Sequence, residues 1–189
     1  MTRGWMTFLA VVSLTLAAPA ALAQDSKQPA TAPPAAMPTP KPDPAVATAY
    51  ADMIGSWKCD GKMTMGGQEM PMKNTAKFAW DMDNFWVVGH FDSAKVKGMP
   101  QFKGVAYYGY DAAKKTYIST AIDNMGGWAI STSPGRQGDT QVWTGKTNMM
   151  GKELDSQVTI TYKSKNEVQL AETTGSGADA FTSSTTCKK

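Results

Sequence analysis

Only two cysteines occur in the chain, and they bracket nearly all of it that reads as foldable: Cys59 in the first strand-like run and Cys187 near the C-terminus. An oxidised Cys59–Cys187 bond ties the first strand to the last, an arrangement that suits a closed antiparallel barrel. The competing reading is a pair of unpaired thiols, redox-active or metal-binding. An even count, terminal placement and passage through an oxidising compartment favour the structural bond.

The expectation of export rests on the first stretch. Arg3 precedes an apolar run from Trp5 to Ala18, and the small residues Ala21-Leu22-Ala23 come before polar Gln24-Asp25, the pattern of a signal peptide cut after Ala23. No later segment approaches the roughly 18 consecutive apolar residues of a membrane span. Residues 1–23 are therefore read as a signal peptide and 24–45 as a Pro/Ala-rich disordered linker, with Pro33, Pro34, Pro38, Pro40, Pro42 and Pro44 keeping it extended. Residues 46–189 remain as one domain, placed by the signal in the periplasm or outside the cell.

Charge points away from polyanions. The chain carries 19 basic and 16 acidic side chains, and the lysines form no basic stripe, so nucleic acid is a poor partner.

Period-2 alternation dominates residues 55–189. Trp57, Cys59, Gly61, Met63 and Met65 share one face of the first run, with Lys58, Asp60, Lys62 and Thr64 opposite. After a Gly66-Gly67 turn, Met70, Met72, Asn74, Ala76, Phe78, Trp80 and Met82 share a face, and Asp83-Asn84 ends that run. Eight further runs follow: Phe85 to Phe91, Phe102 to Tyr110, Thr116 to Asp123, Gly127 to Ser133, Thr140 to Lys146, Leu154 to Lys163, Glu167 to Thr173 and Phe181 to Cys187. Only Val46 to Ile54 reads as helical. Short hairpin turns join consecutive runs, which favours an all-β, up-and-down antiparallel barrel of about ten strands over a Greek-key sandwich.

Several segments carry a resemblance. The Gly55-Ser56-Trp57 start, the Gly109-Tyr110-Asp111 and Asp123-Asn124-Met125-Gly126-Gly127 turns, Thr132-Ser133-Pro134-Gly135 with Gly138-Asp139-Thr140, and the Thr186-Cys187-Lys188 ending look like the bacterial family called domain of unknown function 1579. That family is regarded as lipocalin-like, and Gly55-x-Trp57 is similar to the G-x-W motif whose Trp packs across the closed end of lipocalin (calycin-type) barrels. The resemblance implies a small barrel with an internal cavity and supplies no catalytic residue. The arginine that covers this Trp in lipocalins has no counterpart here; only Lys188 and Lys189 stand near enough to the end of the last strand to replace it.

Candidate functional residues follow from the alternation. Trp57, Phe78, Trp80, Tyr108, Tyr117, Trp128 and Trp143 are candidates to line a pocket for a small apolar molecule. Met63, Met65, Met70 and Met72 flank one hairpin turn, and soft thioethers suit Cu(I); Met149, Met150 and His90 are further candidate ligands, while the same methionines also serve as adaptable core filler. Catalysis has few parts to work with. His90 is the only histidine and Arg136 the only arginine after Arg3, and Asp81 with Asp83 is the one paired-carboxylate candidate. His90 is also a candidate haem ligand. The reading that results is a non-enzymatic binder without a resident cofactor, with copper capture or a structural, partner-binding envelope role as alternatives.

Overall fold

In the computed structural model the described residues are 37, 39–96, 98, 100–177 and 180–189; the expected signal peptide and most of the expected linker lie outside them. A short helix α1 (Pro44–Tyr50) leads through a single 3-10 turn (Ala51–Met53) into β1 (Gly55–Met65). The strands that follow are β2 (Gln68–Asp81), β3 (Trp86–Ser93), β4 (Lys103–Asp111), β5 (Thr116–Asp123), β6 (Trp128–Ser133), the two-residue β7 (Arg136–Gln137), β8 (Thr140–Met149), β9 (Lys152–Ser164), β10 (Glu167–Thr174) and β11 (Phe181–Lys188).

Helix α1 begins two residues before the expected Val46. The reason is legible at its start: Asp43 Oδ1 accepts a hydrogen bond from the Ala45 N–H at 2.8 Å, and Pro44 fills the first helical position, where no amide is needed.

Each long strand pairs antiparallel with the next, β6 with β8 across the small β7 excursion, and β11 returns to β1. Ten long strands thus close into an up-and-down, lipocalin-like barrel. At the closure Cys59 sits directly opposite Cys187, and the two are joined by a disulfide spanning 128 residues of sequence.

The Gly66-Gly67 turn shows how local chemistry sets register. Both residues hold left-handed dihedrals (φ 58° and 75°), the two-residue hairpin geometry that matches strand twist, and Met65 consequently pairs with Gln68. Two strand glycines serve a different end. A Cβ on Gly61 would strike the Ser184 carbonyl and one on Gly145 the Ile130 carbonyl, so β1 draws in against β11 and β8 against β6, the close approach that lets a sheet turn a barrel corner.

The expected inner face of β2 ends one residue early. Met82, Asp83 and Asn84 all take left-handed dihedrals (φ 45°, 56° and 67°), turning Met82 out to 57% exposure instead of continuing the face of Trp80. The same turn removes Asp83 from the strand and occupies Asp81, whose Oδ1 accepts from the Met82 amide at 2.8 Å. The paired-carboxylate arrangement therefore does not form; both residues make a turn.

Outside, Lys62–Glu69, Lys73–Asp60 and Lys146–Asp155 form ion pairs of 3.0, 3.2 and 2.7 Å. All are exposed, and each contributes at most about 1 kcal/mol.

Candidate functional site

The barrel has two unlike ends. At the floor, Tyr50 of α1 is 1% exposed and stacks edge-on against Tyr117 (ring centroids 5.8 Å apart) and tilted against Tyr108 (6.0 Å). Its hydroxyl donates to the Gly109 carbonyl at 3.2 Å. Val46, Val87 and Trp143 are buried with it, while Tyr108 bridges Trp143 (6.0 Å) and Phe78 (6.0 Å). Burial drives the phenols of Tyr50 and Tyr108 far above their usual value, so both stay neutral at any ordinary pH.

Trp57 closes the neighbouring part of the floor. It is buried with Cys59, Ala76 and Cys187, its indole N–H donates to the Met53 carbonyl at 2.7 Å, and the Lys189 ammonium lies 5.1 Å from the ring centroid. Lys189 thus takes the covering position that an arginine holds in lipocalins. Lys188 instead pairs with Glu167 at 3.3 Å.

A polar brace shuts the wall between β6, β8 and β9. Tyr162 donates from its hydroxyl to Gln141 Oε1 at 2.8 Å, Gln141 Nε2 reaches Ser133 Oγ at 3.4 Å, and the Arg136 guanidinium caps the Tyr162 ring at 4.2 Å.

Towards the other end, which we call the mouth, the inward residues become small. Paired residues share a face, so the registers Ala106↔Ala121↔Ala129 and Tyr108↔Ser119↔Ser131↔Gly145↔Ser156 trace the inner wall. Ala121, Ala129, Ser119, Ser131 and Ser156 face inward yet keep partial solvent exposure. The floor is tightly packed, whereas the inner wall above it carries small side chains that are not sealed from solvent. A depression of about 650 Å³ lies across β8–β10, lined by outward Thr144, Lys146, Gln157 and Thr173 and also by Gly145 and Ser156.

Six of the seven aromatic candidates point inward. Trp57 and Trp143 are wholly buried in the floor, whereas Phe78, Trp80, Tyr108 and Tyr117 keep partial exposure on the inner face. Trp128 is the correction. It pairs with Ile122 and precedes Ile130 by two positions on β6, and those two are 58% and 55% exposed, so all three lie on the outer wall. The sequence offered two adjacent alternations, Trp128/Ile130 and Ala129/Ser131, and the larger residues were the natural choice for the interior. The open wall needs the smaller ones.

His90 is likewise outward and exposed, between inward Gly89 and Phe91, so it cannot reach a ligand inside the barrel. Met63, Met65, Met70 and Met72 share the inner face near the mouth, with Met63 directly opposite Met70 across the hairpin. Met149 is also inward, but on distant β8, and Met150 is 82% exposed at a hairpin turn.

One inward residue escaped the sequence reading altogether. Glu172 on β10 continues the face of Val168 and Leu170, with exposed Ala171 and Thr173 opposite. Burial raises its carboxyl above the usual value of 4.5, against the opposing pull of the Thr174 and Ser183 hydroxyls. Among the described residues its cross-strand neighbours are Val158 and Ser183, neither of them titratable in the ordinary range. Because the folded chain holds this proton more tightly than the unfolded one, the site's contribution to stability is complete below about pH 4.5 and declines as pH rises through the folded value. Denaturant titrations of Glu172→Gln from pH 4 to 8 are expected to show the variant gaining on the native protein as pH rises; parallel curves would mean that the carboxyl ionises freely.

Among solved structures, the chain is similar to Rv2717c from M. tuberculosis, with a TM-score of 0.59 and 11% identity over 79% of this chain and 99% of that one. It is also similar to the S-type phycobiliprotein lyase CPES from Guillardia theta, with a TM-score of 0.52 and 11% identity over 74% of this chain and 88% of that one. At such identity the likeness establishes the fold alone. No curated protein matches the chain. The match to a family model is of a different order, because it runs over residues 48–183 and so takes in the end of α1, the strands from β1 to β10 and the first three residues of the closing strand. The chain belongs to the family described as "Protein of unknown function (DUF1579)".

Proposed function

We propose that the protein is an exported, non-catalytic carrier that holds a small, mainly apolar molecule inside the barrel, above the aromatic floor and below the mouth. The observation that carries this reading is the inner wall: inward Ala121, Ala129, Ser119, Ser131 and Ser156 leave space over Tyr108, Tyr117, Phe78 and Trp80, and both apolar contact and a few polar groups line it. Export is supported by the Arg3, Trp5–Ala18 and Ala21-Leu22-Ala23 pattern and by the Cys59–Cys187 bond, which suits an oxidising compartment. Among the described residues no helix is long and apolar enough to cross a membrane.

A second reading has its own observation. Met63 faces Met70 in register, and Met65 and Met72 continue the same inner face, so four thioethers gather beside the mouth where Cu(I) would be taken.

A native mass spectrum of protein recovered from an exported preparation, compared with its denatured spectrum, separates the two. The expected denatured mass lacks residues 1–23 and two hydrogens, and an organic mass leaves the native ion on denaturation. A copper-sized increment would favour the methionine site instead. A bare native ion that also takes up no added decanol would end the carrier reading.

A further inference from the structure

Above the Arg136–Tyr162 stack at the floor, from Leu154 of β9 down to the level of Trp143, the described inner-wall positions carry no lysine, arginine or histidine, yet they include Glu172. This carboxylate is enclosed by protein but keeps partial solvent exposure, so it borders the open space and is not sealed from it. Among the described residues it has no ion-pair partner, and its side-chain hydrogen-bond partners are hydroxyls. Thr174 Oγ1 is 3.4 Å from Glu172 Oε1, at the weak end for an O–H···O bond, and is 3.2 Å from Ser156 Oγ. Thr174 has one hydroxyl proton and cannot donate to both. Ser183, directly across on β11, is the remaining hydroxyl partner. An ionised carboxylate accepts at about four lone-pair sites, so most of its capacity is unmet by the protein.

Two residues further along the same inner face of β11, Thr185 Oγ1 is buried without any hydrogen-bond partner. Opposite Thr185 stands Gly61, which contributes no side chain that might satisfy it. The unmet acceptor capacity at the edge of the inner wall is therefore that of the Glu172 carboxylate, while Thr185 lies sealed behind it.

We propose that the barrel selects guests bearing a primary or secondary amine on an apolar body, with Glu172 receiving the cationic group and the hydroxyl of Ser183 accepting a further N–H bond. An ammonium carries up to three donors and the positive charge this wall lacks, while the hydrocarbon or aromatic part lies against Phe78, Tyr108 and the methionines of β1 and β2. A carboxylate guest would meet a like charge, and an alcohol would forgo the ion pair. This inference rests on the carrier reading above.

The test is calorimetric titration of the folded domain at pH 7.5 with n-decylamine, n-decanol and n-decanoate below their micellar concentrations, in the native protein and in Glu172→Gln. The native protein should bind decylamine at least about tenfold more tightly than decanol and decanoate most weakly, a margin expected of a charge-assisted hydrogen bond. Glu172→Gln should bind decanol as before, which shows the chamber intact, and lose the preference for the amine. Equal binding of amine and alcohol by the native protein would overturn the amine inference and leave the carrier reading standing. An amine preference that survives in Glu172→Gln would also overturn it. Binding of none of the three would overturn both.

Discussion

Replacing both cysteines by alanine is expected to lower stability by about 4–5 kcal/mol, because the bond between Cys59 and Cys187 closes a loop of 128 residues in the unfolded chain. For a domain of this size that corresponds to a fall in Tm on the order of 10–20 °C. The folded state should change little, since the two residues already face each other at matching ladder positions, with hydrogen-bonded strand on both sides. Chemical denaturation of the double variant and of the oxidised protein measures the difference directly. A loss below about 1 kcal/mol would mean that the unfolded chain keeps its ends together without the bond.

Tyr50→Ala is expected to cost about 3–5 kcal/mol, the range for removing a large buried aromatic. The side chain is the point at which α1 enters the barrel, and its ring meets Tyr108 and Tyr117 while its hydroxyl reaches the Gly109 carbonyl. Tyr50→Phe separates these contributions: it keeps the ring and removes only the hydrogen bond, for about 1 kcal/mol. If the two variants lose the same amount, the ring packing contributes nothing and α1 is merely draped over the floor. If the alanine variant alone also admits guests from the floor end, Tyr50 is the stopper of the chamber as well as an anchor for the helix.

How far residues 55–189 could be read in advance depends on what each residue answers to. Strand boundaries were legible because alternation and turn chemistry are local: Thr116–Asp123 matches its expected span, and Gly66-Gly67 dictates the register of β1 and β2 without help from the rest of the fold. Closure was legible from the cysteines. The helix start at Asp43-Pro44 was equally available, since an N-cap acid followed by proline is a local signal, but the preceding prolines drew that dipeptide into the linker. What was not legible is which alternation faces inward when both sets are partly apolar. For β6 the decision between Trp128 and Ala129 is made by neighbouring strands, through the pairing of Ala121 with Ala129, and no property of β6 alone settles it. Glu172 escaped for a related reason. Charged residues are read as solvent-facing by default, and only its register with Ser183 and Val158 places it inside. Alternation marks the aromatics as pocket lining rather than as a floor: apart from Trp128 they do face inward, with Trp57 and Trp143 wholly buried and Phe78, Trp80, Tyr108 and Tyr117 partly exposed.

The seam between β1 and β11 also fixes an order of events. A chain delivered N-terminus first presents the β1 edge early, with unpaired amides and carbonyls from Lys58 to Met65, and the only strand that covers it arrives last. Until then the meander is an open sheet with two sticky margins, and any truncation that removes Phe181–Lys188 leaves it so permanently. With just two thiols, oxidation has a single intramolecular outcome. It needs an oxidant but no reshuffling, and docking of the final strand sets the two thiols opposite each other, so the bond locks the barrel shut along the one seam that closes last.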